Sequence, residues 1–291
     1  MKLTPQQVQT FEDDGYLVAE RVVTDADLAP VIAEFEQWID AQAKRLHADG
    51  KVTDLAEGQS FERRFATLYA QTPEIGAGMD IMFMRGPATF AFLRNKNLLD
   101  AVECLVGPEI LCNPIQHVRA KPPSASSGTG AGFFNVPWHQ DAGVTWEEAD
   151  NTHIVTCWLA LVDATVENGC MEVMPRVENY LEHQAEGGTT IRPDLLPTVE
   201  PRAVPVKKGG LVFMHRWTPH RSTPNFTPDV RWSLDLRYQQ MGTPTGRPFH
   251  PAFVARSASH PESVLTDHAE WSRLWTDALE KAQGVQAHRV K

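Results

Sequence analysis

Two short runs of the chain hold side chains whose types and spacing suit metal chemistry. The first is Trp138-His139-Gln140-Asp141. On an extended strand, residues two apart project to the same side, so His139 and Asp141 would offer an imidazole and a carboxylate to one point while Gln140 faces away. A lone His-x-Asp arises often by chance on surface turns, so this pair alone does not define a site. The second run is His220-Arg221-Ser222-Thr223-Pro224-Asn225, followed by Arg231 at the start of a strand-like segment. A third ligand from this distant run would complete a set of two histidines and one carboxylate, which holds non-haem Fe(II) and leaves positions open for a co-substrate and oxygen. Ser222 lies two residues beyond His220 and shares its face, and a guanidinium beside a hydroxyl suits a carboxylate. The expected chemistry is a metal centre served by a carboxylate-bearing co-substrate whose other end chelates the metal.

These residues need a scaffold, and the rhythm of the chain supplies one. Thr4-Pro5 reads as a cap with proline at the first helical position, and Asp14-Gly15 as the end of that helix. Thr24 or Asp25 opens a longer helix with Leu28, Ile32, Phe35, Ile39 and Leu46 at helical spacing, stopped by Gly50. Shorter helical patterns follow at 61–70 and 98–106. From about Ile110 the pattern changes to short β-like runs: 110–120, 155–163, 171–174, 211–215 and 231–239. Between the first two runs lies PPSASSGTGAGFFNVP, too poor in large apolar residues to bury a core and therefore a loop, either a lid over the site or a plain connector. Glu167-Asn168-Gly169 reads as a tight hairpin turn of type I′. Along the strand from Arg231, the residues Arg231, Ser233, Asp235 and Arg237 share one face, and Trp232, Leu234, Leu236 and Tyr238 the other. A last amphipathic helix carries Leu265, Trp271, Leu274, Trp275 and Leu279.

The joint pattern resembles the phytanoyl-CoA dioxygenase family of Fe(II)/2-oxoglutarate-dependent oxygenases. The likeness rests on WHQDA at Trp138–Ala142, WLALVDATVENGCMEVMP at Trp158–Pro175 and GGLVFMHRWTPHRSTPN leading to Arg231. It implies a mainly β fold with a helical buttress around a double-stranded β-helix, that is, a jelly-roll or cupin-like core. It also implies His139, Asp141 and His220 as catalytic iron ligands, Arg231 and Ser222 as the anchor of the distal carboxylate of 2-oxoglutarate, and Lys121 and Trp158 as further residues of the co-substrate pocket. Fe(II), 2-oxoglutarate and O2 are the implied cofactor and co-substrates, with succinate and CO2 as products and hydroxylation as the usual outcome. The carboxylate at Asp141 disfavours halogenation, because halogenating relatives carry a small residue there. His215 is the competing third ligand, but it lacks the following serine and, at the family's spacing, position 226 is Phe rather than Arg. His117 and His153 read as structural. One departure stands out: the family's Pro-Gly-Ser-His after the Asn-Gly-Cys turn is Pro175-Arg176-Val177-Glu178 here. If Arg231 points into the barrel, the polar face of its strand lines the pocket, and Asp235 with Arg237 reads either as an internal ion pair, the favoured alternative, or as substrate contacts.

Composition narrows the remaining choices. The 291 residues carry 37 acidic and 27 basic side chains, a formal net charge of -10, with no basic run, which argues against a nucleic-acid partner. No apolar stretch reaches the roughly 18 residues of a membrane span, and the first residues lack the apolar core of a signal peptide. Cys104, Cys112, Cys157 and Cys170 show no Cys-x-x-Cys spacing and read as buried thiols. A cytoplasmic enzyme acting on a small molecule is expected, of open oligomeric state. Its single domain would span 1–291: a helical scaffold over 1–108, the jelly roll over 109–240, and a pocket rim with the last helix over 241–291. Two other functions fit parts of the pattern: a jelly-roll sensor that binds metal and 2-oxoglutarate without turnover, and a zinc-dependent hydrolase, which would leave Arg231 and Ser222 without a task.

Overall fold

The computed structural model describes residues 1–130, 134–184 and 190–289. Local chemistry sets its first elements. The Thr4 hydroxyl accepts from the Gln7 amide while the Gln7 side chain accepts from the Thr4 amide, a reciprocal cap that starts the helix Pro5–Asp14. Thr24 and Asp27 repeat the device at the helix Asp25–Ala48, which buries Leu28, Val31, Phe35, Ile39, Ala43 and Leu46. Val31, rather than the partly buried Ile32, completes its apolar stripe. The helices Phe61–Gln71, Lys96–Val106 and His268–Lys281 lie where periodicity places them.

Among the described residues ten strands follow or interleave: β1 (Tyr16–Ala19), β2 (Ile110–Cys112), β3 (His117–Lys121), β4 (Ile154–Ala160), β5 (Met171–Val173), β6 (Arg202–Val204), β7 (Leu211–His215), β8 (His220–Ser222), β9 (Arg231–Gln240) and β10 (Phe253–Arg256). The segment 110–120 is two strands rather than one. Asn113-Pro114 interrupts it, since proline has no amide for the ladder and the Asn113 side chain turns back to the Ile115 amide at 2.9 Å. Both pieces pair with β9. The larger sheet runs β1-β7-β4-β9-β2-β10, with β3 also on β9, and the smaller runs β6-β5-β8; every pairing is antiparallel. This is the double-stranded β-helix with a helical buttress.

The Asn-Gly turn departs from a tight hairpin. Gly169 sits at φ +84°, but Asn168 stays outside the left-handed region that a type I′ turn demands of both residues. Instead the Asn168 side chain accepts from the Thr165 amide at 2.8 Å, and the wider turn hands the chain from β4 in one sheet to β5 in the other.

Two apolar clusters hold the layers. Outside the larger sheet, the apolar face of β9 meets the helices: Trp232 stacks on Phe61 at 4.4 Å and meets Phe65 edge-on at 5.1 Å, with Leu234, Leu236 and Tyr238 in the same core. Full burial of a side chain this large is worth on the order of 2–3 kcal/mol. Between the sheets, Trp158, Val212 and Met214 pack on Met171, Val173 and Val204. The space that this inner cluster leaves is a cavity of about 800 Å³. The other face of β9 lines it, through Arg231, Asp235 and Arg237.

Candidate active site

His139 and His220 face each other across an isolated antiparallel bridge. The His139 amide donates to the His220 carbonyl at 3.0 Å, and the reverse bond is 2.9 Å. This pairing places the two rings side by side, with centroids 4.0 Å apart. Asp141 does not continue a strand; it opens the short 3-10 turn Asp141–Val144. Gln140 does face away, and it is fully buried, pinning the turn through bonds to the Asn179 and Trp217 carbonyls at 3.1 and 2.7 Å. The result is one ligand atom from each of His139, Asp141 and His220, all within 4.8 Å of one another.

The surroundings ready these groups for a cation. His139 Nδ1 lies 2.9 Å from the Pro137 carbonyl and His220 Nδ1 lies 3.0 Å from the Thr218 carbonyl. A carbonyl only accepts, so in each ring Nδ1 holds the proton and Nε2 keeps its lone pair, the state a metal ligand needs. Burial, then the neighbouring His220, hold His139 well below the usual imidazole range. For Asp141 burial acts upward, but the Arg237 guanidinium beside it outweighs this and keeps the carboxyl ionised. Arg237 Nη2 donates to Asp141 Oδ1 at 2.6 Å, and the Thr156 hydroxyl donates to Oδ2. Two imidazoles held at Nδ1 and a carboxylate, all fixed on one point, fit a divalent metal.

A second group of residues gathers where β3 meets β9. Lys121 and Arg231 are direct cross-strand partners and both are about 2% exposed. Lys121 Nζ donates to Asn135 Oδ1 at 2.9 Å, Ser222 Oγ at 3.1 Å and the Thr223 carbonyl at 2.6 Å. Arg231 Nη1 donates to Ser233 Oγ at 2.7 Å, its Nε is buried with no partner, and its guanidinium lies 4.9 Å from the centre of the Trp158 ring. None of these partners is a carboxylate. Burial, then Arg231, pull the Lys121 amine down to about 6, and burial pulls Arg231 to about 10. A buried guanidinium with no carboxylate among its hydrogen-bond partners, beside a buried amine that a bound anion would charge, fits a bound carboxylate.

Gly169 approaches this group closely. A Cβ there would stand 2.4 Å from the Thr223 carbonyl oxygen and 2.9 Å from Lys121 Cδ, so the residue is glycine for space as well as for its φ.

His215 stays outside the ligand cluster, its Nδ1 accepting from the Trp217 amide at 3.2 Å, and His153 packs between Phe11 and His215. His117 lines the cavity with Nδ1 2.7 Å from Asp80 Oδ2. Arg237 is not primarily the partner of Asp235, which lies 3.8 Å away; the 2.6 Å bond to Asp141 dominates. In the loop before Trp138, Ser124–Ser127 forms one helical turn and Asn135 ties the Gly128 and Gly130 carbonyls together. The lid reading of that loop falls in part on 131–133, outside the described residues. Pro175-Arg176 packs against the end of the first helix, where the Arg176 amide meets the Asp14 carbonyl at 2.9 Å.

A double-stranded β-helix holding two histidines and a carboxylate beside a buried lysine and arginine has the architecture of the non-haem iron, 2-oxoglutarate-dependent oxygenases. The sequence model of phytanoyl-CoA dioxygenase matches residues 11–233, and the chain belongs to that family. It is 24% identical over 247 residues to the peroxisomal phytanoyl-CoA dioxygenase of Rattus norvegicus, covering 81% of this chain and 68% of the relative. To the methylphosphonate hydroxylase of Gimesia maris it is 35% identical over 137 residues, 47% of this chain and 51% of that one. Among solved structures it is similar to apo ThoJ, a non-heme monooxygenase, with a TM-score of 0.65 and 18% identity over 96% of this chain and 100% of that one. It is also similar to the epimerase SnoN in complex with Fe3+, alpha ketoglutarate and nogalamycin RO, with a TM-score of 0.53 and 21% identity over 84% and 87% of the two chains. Among the described residues no helix is long and apolar enough to cross a membrane.

Proposed function

We propose that this protein is an Fe(II)- and 2-oxoglutarate-dependent dioxygenase that hydroxylates a small organic molecule with release of succinate and CO2. The observation that carries the reading is the shared cavity: the three ligand atoms within 4.8 Å of one another open onto the same space as Lys121 and Arg231, neither of which is hydrogen-bonded to a carboxylate among the described residues. His139 and His220, through Nε2, and Asp141 hold the metal. Iron, when bound, supplies the redox chemistry that couples decarboxylation of 2-oxoglutarate to oxidation of a C–H bond. Arg231 takes the distal carboxylate of 2-oxoglutarate, with Trp158 beneath its guanidinium fixing the plane of approach. Lys121 and Ser222 complete the anchor, and Asn135 holds the Lys121 amine in place. Thr156 and Arg237 orient the Asp141 carboxylate.

The whole chain acts as one oxygenase unit, with 241–291 as rim: Arg247 and His250 line the cavity, as do Ala287 and His288 beyond the last helix. A cavity of about 800 Å³ suits a small metabolite. The phosphonate and acyl-CoA substrates in the names of the relatives are starting points for a screen. The four cysteines are all unpaired, in keeping with a reducing compartment, and we place the protein in the cytoplasm. The test is an assay with Fe(II), ascorbate and 2-oxoglutarate under air, screening metabolites for stimulated succinate release. Wild-type protein with no metal-dependent affinity for 2-oxoglutarate would refute the reading; affinity without turnover on any substrate would favour a sensor.

A further inference from the structure

β9 is a ruler through the cavity. Arg231, paired with Lys121, stands at its start, and Arg237, bonded to Asp141, stands six residues further on, about 20 Å along an extended strand at roughly 3.3 Å per residue. Past Arg237 the chain folds back and places Arg247 on the cavity wall. Arg247 is 7% exposed. Its side chain makes one hydrogen bond, from Nε to the Val144 carbonyl at 3.0 Å, and its two terminal nitrogens have no protein partner among the described residues.

The other cations on this wall have tasks. Arg237 meets Asp141 at 2.6 Å, Arg119 lies 4.0 Å from Asp235, and His117 lies 2.7 Å from Asp80. Lys121 and Arg231 belong to the co-substrate. Arg247 has no acidic partner among the described residues, and it is held firmly where it stands. Gly246, at φ +71°, lets this segment approach Thr145, whose Cβ would lie 2.5 Å from a side chain at 246, and the Trp146 amide donates to the Gly246 carbonyl at 3.0 Å. The Arg247 amide is tied to Thr245 Oγ1 at 3.1 Å, and Gln239 Nε2 holds the Thr243 and Pro244 carbonyls at 3.0 and 2.9 Å. His250 and His288 line the same cavity. Burial, then Arg247, hold both imidazoles down to about 4, so near neutrality they can donate hydrogen bonds without adding charge.

We propose that Arg247 anchors an oxyanion on the substrate, so that the molecule oxidised carries a carboxylate or a phosphorus oxyanion and reaches the metal from the side of Asp141 and Val144, away from Lys121 and Arg231. This rests on the oxygenase reading, because occupation of Lys121 and Arg231 by 2-oxoglutarate is what leaves Arg247 for a second anion. A buried guanidinium with both terminal nitrogens open is suited to bidentate recognition of such a group.

The test loads the protein with Mn(II) and saturating 2-oxoglutarate and titrates it by calorimetry with acetate and, separately, with inorganic phosphate. At least one anion should bind wild type. Its affinity should fall by at least about tenfold in Arg247→Gln and by less in Arg247→Lys, while 2-oxoglutarate affinity stays within about twofold. Preference for acetate identifies a carboxylate substrate, and preference for phosphate a phosphorus oxyanion. Equal anion binding by wild type and Arg247→Gln, or no anion binding by protein that does take up 2-oxoglutarate, overturns the inference alone. Wild type that does not bind 2-oxoglutarate overturns the oxygenase reading and this inference with it.

Discussion

Replacing Arg231 by alanine separates co-substrate binding from both folding and metal binding. In the free protein this guanidinium is buried beside the Lys121 amine, with its Nε unpaired among the described residues and one hydroxyl as hydrogen-bond partner. Its loss there forfeits the contact with Trp158 but also removes an uncompensated charge. These effects oppose each other, so stability without 2-oxoglutarate should change by no more than about 1 kcal/mol. With 2-oxoglutarate bound the balance differs, because a buried carboxylate loses its bidentate partner. Truncating one side of such a pair costs about 2–5 kcal/mol. Lys121 and Ser222 remain, so the lower part of that range applies and affinity should fall by about 30- to 300-fold, at 1.4 kcal/mol for each factor of ten. The assay is calorimetric titration of 2-oxoglutarate into Mn(II)-loaded wild type and variant, with Mn(II) affinity measured separately on the same preparations. A loss under about threefold, or an equal fall in metal affinity, would refute the assignment of Arg231 to the distal carboxylate.

With Lys121 in the proposed co-substrate anchor, 2-oxoglutarate binding should depend on pH. Its amine is lowered to about 6 in the free protein, below its unfolded value, and a bound dianion favours the charged form. Binding of 2-oxoglutarate should therefore take up a proton and weaken as pH rises from 6 to 8, which titrations in buffers of different ionisation enthalpy would detect and Lys121→Met would abolish. By the same sign rule, the unliganded protein should gain stability as pH rises from about 6 towards 10, because the unfolded chain holds the Lys121 proton over that interval and the folded one does not. Alanine at His139 or His220 should lower Mn(II) affinity by at least about a hundredfold, while His215→Ala should leave it within about threefold by titration; the reverse result would exchange the two assignments. Gly169→Ala should weaken 2-oxoglutarate binding by roughly 1–3 kcal/mol through displacement of Thr223 and Lys121, with metal affinity retained, and unchanged 2-oxoglutarate affinity would show that the turn yields without disturbing the site.

How far the site was legible depends on how each contact arises. His139, Asp141, Ser222, His220 and Arg231 lie in short runs whose internal spacing is informative, and the family pattern links the runs across the chain. The two faces of β9 could be read from alternation, and the resemblance oriented them: Trp232 against the helices and Arg231 into the cavity. What alternation could not tell was the partner of Arg237, since Asp235 shares its face in sequence but Asp141 reaches it from another segment. Thr156, Asn135 and Arg247 carry no local signal at all and acquire their contacts only by convergence. The strands β1, β6, β8 and β10 are three or four residues long, too short for periodicity to register. The Asn-Gly turn misled because its sequence favours a tight hairpin, whereas the chain must there cross between sheets.

The two imidazoles are aimed by main-chain oxygens, those of Pro137 and Thr218, each two residues upstream of the ring it holds. A side-chain partner can be lost by a single base change; a peptide carbonyl cannot. Substitution at 137 or 218 can alter packing, but the acceptor survives as long as the bridge between His139 and His220 keeps its path. The cavity wall is therefore open to variation next to a centre whose proton positions are inherited from the backbone, and new substrates can be accommodated at Arg247, His250 or His288 without rebuilding the ligands.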